Sequence, residues 1–271
     1  MKKESPLNIL PTLFGCAALG VAGTSLAATA DTPDPRPQPP VQIRRTQEAI
    51  TLDGKLDEPA WQQAPAQDLE WLDDTVNLPP LTQQAVKAVP FEPGRARFLL
   101  GPEFLYIGIE FEDADVVAQL AEDQAHLYRT GDLAEVFIKA AGSPSYWELY
   151  VSPLGNKTSF FFPSPGYLGL PDCFSLPLME GFDVAAAVDG TVNDYRDTDR
   201  GWTAEMAIPL DALKHSTGVA FAPGEAWRIL VARYNYGRTL RTKQHSSYPL
   251  LPLISYHLIE YYAPVQFLDA D

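Results

Sequence analysis

Several segments of the chain alternate between apolar and polar residues with a period of two, which is typical of β-strands with one buried face. Residues 104–111 show this alternation, and residues 202–208 repeat it before Pro209. In residues 227–236 one face carries Trp227, Ile229, Val231, Arg233 and Asn235. Each segment therefore predicts a strand with one side toward a core.

A β-hairpin is predicted for residues 131–151, where two alternating segments follow one another. Ala134, Val136 and Ile138 share one face of the first segment, and Glu135 points to the other. In the second segment the face opposite the aliphatic residues carries Tyr146, Glu148 and Tyr150. Pairing of these strands brings Glu135 and Glu148 close together on an aromatic-bordered face.

Residues 50–61 predict a strand, a tight turn and a short helix. Ile50 and Leu52 alternate with polar neighbours, and Asp53-Gly54 suits a turn with positive φ. Asp57 is placed to cap a helical turn that starts near Pro59. Trp61 is large and apolar, so it would anchor this helical turn against a core.

Many short strands and few helical patterns predict an all-β fold, an antiparallel β-sandwich of jelly-roll or immunoglobulin-like type. Short helical turns are expected at residues 59–63, 209–215 and 114–127. No repeat of fixed period and no second Pro-rich boundary interrupts the remainder of the chain, so residues 43–271 are predicted to form one domain.

The N-terminal segment predicts export from the cytoplasm. Residues 1–30 have two lysines, an apolar run and small residues before Asp31, which is typical of a signal peptide. The run contains Pro11 and many small residues, so it falls short of the ~20 strongly apolar residues of a membrane span. Residues 31–42 predict a Pro-rich tether. Cleavage before Cys16, which would make a lipoprotein, is the alternative to a free periplasmic or extracellular protein.

Composition narrows the class of partner. Of 271 residues, 46% are hydrophobic, which predicts a substantial core. The formal net charge is −15, so nucleic acids and anionic membranes would be repelled. Loss of the leader leaves Cys173 as the single cysteine, which excludes an internal disulfide. We expect a monomer with a neutral or cationic partner.

The face that carries Glu135 and Glu148 suits carbohydrate recognition. Aromatic rings pack on the apolar side of a pyranose, and carboxylate, amide or guanidinium groups bond its hydroxyls. The two carboxylates also permit a second interpretation as the acid pair of a glycoside hydrolase, which requires a separation of ~5 to 9.5 Å. No nucleophile elbow, phosphate-binding loop or dinucleotide fingerprint is present to indicate other enzyme classes.

Metal chemistry has one candidate site. The four histidines have no recognisable zinc-ligand spacing. The acidic turn that contains Asp113 and Asp115 could supply oxygen ligands to a structural Ca²⁺. No other metal or cofactor is expected from these patterns.

Taken in order, four blocks of the chain resemble carbohydrate-binding module family 9-like domains of secreted bacterial proteins, over roughly residues 48 to 268. The blocks are Leu52-Asp53-Gly54-Lys55-Leu56-Asp57-Glu58-Pro59-Ala60-Trp61, Leu105-Tyr106-Ile107-Gly108 with its acidic turn, residues 131–149, and residues 201–210. The resemblance implies an antiparallel β-sandwich that binds an oligo- or polysaccharide between aromatic side chains, often with structural Ca²⁺.

The resemblance also implies specific ligand-binding residues. Tyr128 matches the first aromatic platform, and Glu135 matches the acidic residue that bonds sugar hydroxyls. Tyr256, followed by His257, matches the second platform in the closing motif. In that motif Ile259 replaces the usual proline, and Ala263 replaces the usual glycine. Tyrosine also stands at both platform positions where characterised binders have tryptophan.

Two further expectations complete the set of candidate residues. Arg233 and Asn235, near the end of their strand, are secondary candidates for bonding sugar hydroxyls, beside Tyr146 and Glu148. Related sandwich domains bind haem through Met and His, which here would require Met206 or Met179. Because Met206 shares a face with Trp202 and Ile208, we interpret it as a core residue.

Overall fold

The computed structural model describes residues 37–73, 75–164 and 178–269. The predicted signal peptide, residues 31–36 of the predicted tether, Cys16 and Cys173 lie outside the described residues. The first strand begins at Val41, so the last two residues of the predicted tether, Val41 and Gln42, belong to the sheet. Among the described residues, no helix is both long enough and apolar enough to cross a bilayer.

Thirteen strands are described. In chain order they are β1 Val41–Arg45, β2 Gln67–Asp68, β3 Glu70–Trp71, β4 Gly94–Leu100, β5 Phe104–Glu112, β6 Leu133–Ala140, β7 Tyr146–Val151, β8 Lys157–Phe162, β9 Asp183–Asp189, β10 Gly201–Pro209, β11 Trp227–Asn235, β12 Gln244–Tyr248 and β13 Ala263–Leu268. The described α-helices are α1 Pro59–Gln63, α2 Pro80–Lys87 and α3 Leu210–Thr217. Single 3₁₀ turns occupy Thr75–Asn77, Leu127–Arg129 and Ile259–Tyr261.

The strands form one large mixed sheet that curls into a nearly closed, barrel-like form. Its order is β8-β7-β6-β11-β13-β1-β4-β5-β10-β9, while β12 adds to β11, β3 to β12 and β2 to β4. The mainly β composition confirms the predicted class. The purely antiparallel arrangement was wrong, because β1 pairs in parallel with both β13 and β4. The pairing of β1 with β13 joins residues more than 200 positions apart, which local alternation does not specify.

The main core lies between the two halves of this sheet. Apolar side chains of β4, β5 and β10, among them Phe98, Ile107 and Met206, pack with side chains from β6, β7 and β11. The strands predicted at residues 104–111, 202–208 and 227–236 are confirmed by β5, β10 and β11. The opposite face of β6, β7 and β11, which we call the outer face, carries a second cluster that is rich in tyrosine and phenylalanine.

The opening unit folds differently from its prediction in one respect. Ile50 and Leu52 form no strand, although α1 follows as predicted and Trp61 is fully buried. Glu58, not Asp57, occupies the N-cap position, and it makes no side-chain cap hydrogen bond. Gly54 adopts φ +82°, and a Cβ there would come within 2.4 Å of the Ala186 carbonyl carbon, so glycine is required.

The helix predicted at residues 114–127 is absent, and only Leu127–Arg129 forms a 3₁₀ turn. Its backbone donors are used elsewhere: the Val116 N–H donates to Asp199 at 2.7 Å, and the Val117 N–H donates to Asp132 at 2.6 Å. Long-range carboxylates therefore hold this segment extended. By contrast, α3 confirms the turn predicted at residues 209–215.

Candidate functional site

The two glutamates of the predicted hairpin lie on the same outer face of β6 and β7. Glu135 stands opposite Tyr150 in the antiparallel register, and Glu148 stands opposite Phe137. Both carboxyl groups are nonetheless buried, with exposed fractions of 2% for Glu135 and 5% for Glu148. The structure thus confirms that Glu135 and Glu148 share one face of the hairpin. This face is covered by other residues, whereas the alternation alone suggested that it is half-exposed.

Burial changes the acidity of both glutamates. Burial raises the pKa of Glu135 well above its usual range, and the neighbouring Glu148 charge raises it further. Burial raises the pKa of Glu148 to about 7, although the hydrogen bond donated by the Tyr150 hydroxyl works in the opposite direction. Two buried carboxyl groups this close do not readily ionise together, so the pair retains a proton near neutral pH.

Three tyrosine rings gather beside these carboxyl groups, and we call Tyr128, Tyr150 and Tyr234 the tyrosine cluster. The Tyr128 ring centroid lies 5.6 Å from that of Tyr234 and 6.5 Å from that of Tyr150. Tyr150 is buried, whereas Tyr128 and Tyr234 are partly exposed. Tyr128 follows the exposed His126, whose ring centroid lies 5.9 Å away. The cluster therefore connects the buried acids to the surface.

Basic and hydroxyl groups border the tyrosine cluster. The Lys243 ammonium lies 4.8 Å from the centre of the Tyr234 ring and 3.4 Å from the Tyr236 hydroxyl. That hydroxyl donates a 2.6 Å hydrogen bond to the Tyr128 carbonyl. On the other side, Arg129 Nε donates to the Tyr128 hydroxyl at 3.1 Å. Cation–π and hydrogen-bond contacts thus fix the orientation of the rings.

Tyr146 and His257 lie beside Glu148 on the outer face. The Tyr146 hydroxyl and His257 Nδ1 are 2.9 Å apart, and His257 Nε2 is 3.9 Å from Glu148 Oε2. Burial lowers the pKa of His257 to about 4, so its ring is neutral at neutral pH. Tyr146 is fully buried and stacks on Phe162 with 4.8 Å between ring centroids. His257 therefore contacts both the Tyr146 hydroxyl and the Glu148 carboxyl group.

Tyr256 occupies a buried position, in contrast to the platform role expected from the family resemblance. Its exposed fraction is 4%, and its ring packs against Phe137 and Tyr234. Its hydroxyl donates a 3.0 Å hydrogen bond to the Arg233 carbonyl. A ring that is enclosed in this way offers no open face for stacking, so in this structure Tyr256 supports the site and does not border it.

Arg233 and Asn235 lie on the opposite face of β11, away from Glu135. The Arg233 guanidinium is 1% exposed, donates to Asp113 Oδ2 at 3.0 Å and lies 4.4 Å from the Phe111 ring centre. Asn235 Nδ2 donates to Glu92 Oε2 at 2.7 Å. Arg233 and Asn235 therefore lie in the inner layer, apart from Glu135 and Tyr128, and their role as secondary contacts for sugar hydroxyls stays a prediction.

The acidic turn proposed for calcium is held by arginines. Asp113 pairs with Arg233, and Asp115 Oδ1 pairs with Arg238 Nη1 at 2.7 Å. Within residues 37–73, 75–164 and 178–269, no group of three or more His, Cys, Asp or Glu side chains is arranged to hold a metal ion. Calcium at Asp113 and Asp115 stays a prediction. Met206 and Met179, the alternative haem ligands, are both core residues.

Sequence reasoning missed Tyr234, Tyr236 and Lys243. The sequence does indicate the face on which Tyr234 lies, because Tyr234 is adjacent to Arg233 in β11 and so belongs to the opposite face. The sequence does not reveal that β11 pairs with β6. In this pairing Ala232 stands opposite Glu135, and Tyr234, two residues further along β11, lies on the same face as Glu135. Lys243 reaches the cluster from the loop between β11 and β12.

Solved structures share this fold. A protein from Bacteroides uniformis with a proposed carbohydrate-binding role superposes with a TM-score of 0.63 at 14% identity, over 84% of this chain and 98% of that one. A family 9 carbohydrate-binding module from Caldicellulosiruptor kristjanssonii in complex with cellotriose gives a TM-score of 0.54 at 11% identity, over 85% and 95%. The same kind of module with glucose gives 0.51 at 12% identity, over 85% and 97%. No protein-family profile and no curated protein matches the sequence.

Proposed function

Because the chain has the fold of family 9 carbohydrate-binding modules, we propose that it is a non-catalytic module that binds an oligo- or polysaccharide beside the tyrosine cluster. The observation that carries this proposal is the position of Tyr128. It is a partly exposed ring that lies at the surface end of a layer whose interior holds Glu135 and Glu148. A sugar that stacks on Tyr128 would therefore have both carboxyl groups within the same layer.

The chemistry of the layer suits neutral sugars. A sugar hydroxyl is both a donor and an acceptor of hydrogen bonds. The hydroxyl groups of the partly exposed Tyr128 and Tyr236 offer both functions. Glu135 and Glu148 are buried and act indirectly, because Glu148 accepts a hydrogen bond from Tyr150 and so holds that ring beside Tyr128. The Tyr128 ring supplies the flat apolar surface, and Lys243 and Arg129 supply further donors at the border.

Other features of the proposed function follow from the sequence. We propose an exported protein, with residues 1–30 as its leader and with lipid attachment at Cys16 as the alternative. We also propose a monomer in which calcium, if bound, is structural and lies near Asp113 and Asp115. None of these features alters the chemistry of the tyrosine cluster.

Calorimetric titration of the protein with a glycan panel that includes glucose and cellotriose tests the binding proposal. Tyr128→Ala should weaken binding about tenfold or more, since loss of a stacking ring costs about 1.4 kcal/mol or more. Tyr195→Ala is the matched control, because Tyr195 is 74% exposed and outside the cluster. Equal affinity of wild type and Tyr128→Ala for every bound glycan would contradict the proposal.

The burial and raised pKa of Glu135 and Glu148 also favour a second candidate function, glycoside hydrolysis with Glu148 as the acid. An assay of reducing sugar released from each glycan that the protein binds separates the two functions. Turnover that disappears in Glu148→Gln would support the enzyme. Binding without turnover in the wild type leaves the binding module as the function.

A further inference from the structure

Lys139 is a buried lysine on the outer face of β6. It follows Phe137 by two residues, so the two side chains share this face, and its exposed fraction is only 5%. Within the described residues its ammonium group makes no hydrogen bond and no ion pair. The nitrogen is not sealed in, because the enclosed side-chain atoms that lack a partner all belong to other described residues. A charge that is buried without compensation is unfavourable, so Lys139 lacks a partner of opposite sign.

A second cation stands directly beside Lys139. Arg228 of β11 is its partner in the antiparallel register, and directly paired residues share a face. Arg228 Nη1 donates a 2.7 Å hydrogen bond to the Tyr262 carbonyl. Within the described residues, Nε and Nη2 of this guanidinium have no acceptor. Two neighbouring guanidinium nitrogens form the fork that binds both oxygens of a carboxylate, so Arg228 and Lys139 together present free donors of positive charge.

The other groups near Lys139 do not neutralise its charge. Burial lowers the pKa of Lys139, and the neighbouring Arg228 charge lowers it further. Glu260 acts in the opposite direction, but its effect is smaller than that of Arg228, and its side chain is exposed. The register of β6 and β7 places Tyr146 on the other side of Lys139, and burial raises the pKa of the Tyr146 hydroxyl, which is therefore uncharged. An anion beside Lys139 and Arg228 would supply the missing charge.

The cation pair shares the outer face with the tyrosine cluster but lies at the other end of it. Lys139 is four residues along β6 from Glu135, and a strand rises about 3.3 Å per residue, so their Cα atoms are about 13 Å apart. Tyr234 of the cluster stands opposite Leu133, where β6 begins. This distance exceeds the size of one sugar ring. A ligand that stacks on Tyr128 would therefore reach Lys139 only as an oligosaccharide.

We propose that Lys139 and Arg228 form a subsite for the carboxylate or sulfate group of an acidic sugar residue. The Arg228 fork matches two oxygens of such a group, and the Lys139 ammonium adds a second charge-assisted contact. The formal net charge of −15 disfavours polyanions, so a glycan whose remaining residues are neutral fits best. That a glycan carries the anion rests on the proposed function, whereas the anion subsite itself does not depend on it.

Calorimetric titration with two pairs of oligosaccharides tests the proposal. One pair is a xylotriose that carries a single glucuronate residue and the methyl ester of the same compound, and the other is cellotriose with and without one 6-sulfate group. The charged member of at least one pair should bind about tenfold more tightly than the neutral member, as is typical of charge-assisted hydrogen bonds. The pair that responds identifies the anion as carboxylate or sulfate.

Variants assign this preference to the cation pair. Lys139→Met and Arg228→Gln should each abolish the preference for the charged oligosaccharide. Lys139→Met keeps the length of the side chain and removes an uncompensated buried charge, so the variant should fold. Lys214→Met is the matched control, because Lys214 is exposed and the change in net charge is the same. A preference that persists in Lys139→Met would overturn the assignment to this site.

Nuclear magnetic resonance of the lysine Cε signals provides a readout that does not require binding at Tyr128. The protein is titrated with glucuronate, glucose 6-sulfate and glucose, and the Lys139 signal is assigned by its absence from Lys139→Met. At least one anion should shift this signal and raise the pKa of Lys139, and glucose should not. A Lys139 signal that neither anion moves, or equal measured affinities within both oligosaccharide pairs, overturns the subsite and leaves the Tyr128 proposal intact. A shift with an anion in a protein that binds no neutral glycan supports the anion subsite and contradicts only the function proposed for Tyr128.

Discussion

Trp61 Nε1 donates a 3.0 Å hydrogen bond to Oε1 of Glu205, across 144 residues of sequence. The other carboxyl oxygen accepts the backbone N–H groups of Asp53 and Gly54, each at 3.0 Å. Glu205 is fully buried on β10, so one side chain satisfies three donors of the opening unit. This carboxyl group is what attaches the turn and α1 to the sheet.

Glu205→Ala should destabilise the protein by about 3 kcal/mol, because three donors are left without their acceptor and an unsatisfied buried donor costs about 1–3 kcal/mol. Urea unfolding followed by tryptophan fluorescence measures the change. Glu225→Ala is the control, since Glu225 is an exposed acid and surface changes typically stay within about 0.5 kcal/mol. Equal losses in the two variants would show that Glu205 does not hold the opening unit.

The stability contributed by Glu205 should depend on pH. Burial raises its pKa to about 7, from a usual value of 4.5, so the folded protein retains a proton that the unfolded chain has lost. Stability is then greatest below about pH 4.5 for this group and falls as pH rises toward about 7. The urea midpoint of the wild type should decrease more than that of Glu205→Gln between pH 5 and pH 8. Parallel profiles would disprove this assignment.

Sugar binding should weaken above neutral pH. Near pH 7 the Glu148 carboxyl begins to lose the proton that it shares with Glu135, and two adjacent buried charges result. Affinity for a neutral glycan should fall severalfold between pH 6 and pH 9, as measured by calorimetry. In Glu148→Gln the dependence should flatten, because only one acid remains. A steep decline that is unchanged in this variant would point to a group elsewhere.

Tyr256 should matter for stability and not for stacking. Tyr256→Ala removes a buried ring and should cost about 3–5 kcal/mol of unfolding free energy. Tyr256→Phe keeps the ring, loses the hydrogen bond to the Arg233 carbonyl and should cost about 1 kcal/mol. Thermal unfolding and glycan titration of both variants check this. A large loss of affinity in a fully folded Tyr256→Phe would restore a direct role in the site.

Local periodicity explains what the sequence could predict. The hairpin of β6 and β7 follows from two adjacent alternating segments, so the shared face of Glu135 and Glu148 was accessible without a structure. Their burial was not, because the covering residues come from distant parts of the chain. Tyr128 precedes β6, Tyr234 lies in β11, and Tyr256 follows β12. Which strands become neighbours is a property of long-range pairing.

For Arg233, two indications from the sequence conflict. Its alternation with Trp227, Ile229 and Val231 placed it on the core face, yet a charged side chain near a strand end suggested contact with a ligand. The structure resolves the conflict by burying Asp113 beside it, so that each charge compensates the other. Asp113 lies 120 residues earlier. A compensating charge at that distance leaves no local signature.

The parallel seam at β1 also determines when the protein can finish folding. β1 pairs with β13, so the first strand described in the chain waits for a partner that ribosomes synthesise more than 200 residues later. Until then, one edge of β1 and the apolar residues Val41 and Ile43 lack their final cover. Contacts of such high sequence separation slow folding. A growing chain would therefore stay incomplete until β13 has been synthesised, and a deletion that removes β13 should expose β1 as an aggregation-prone edge.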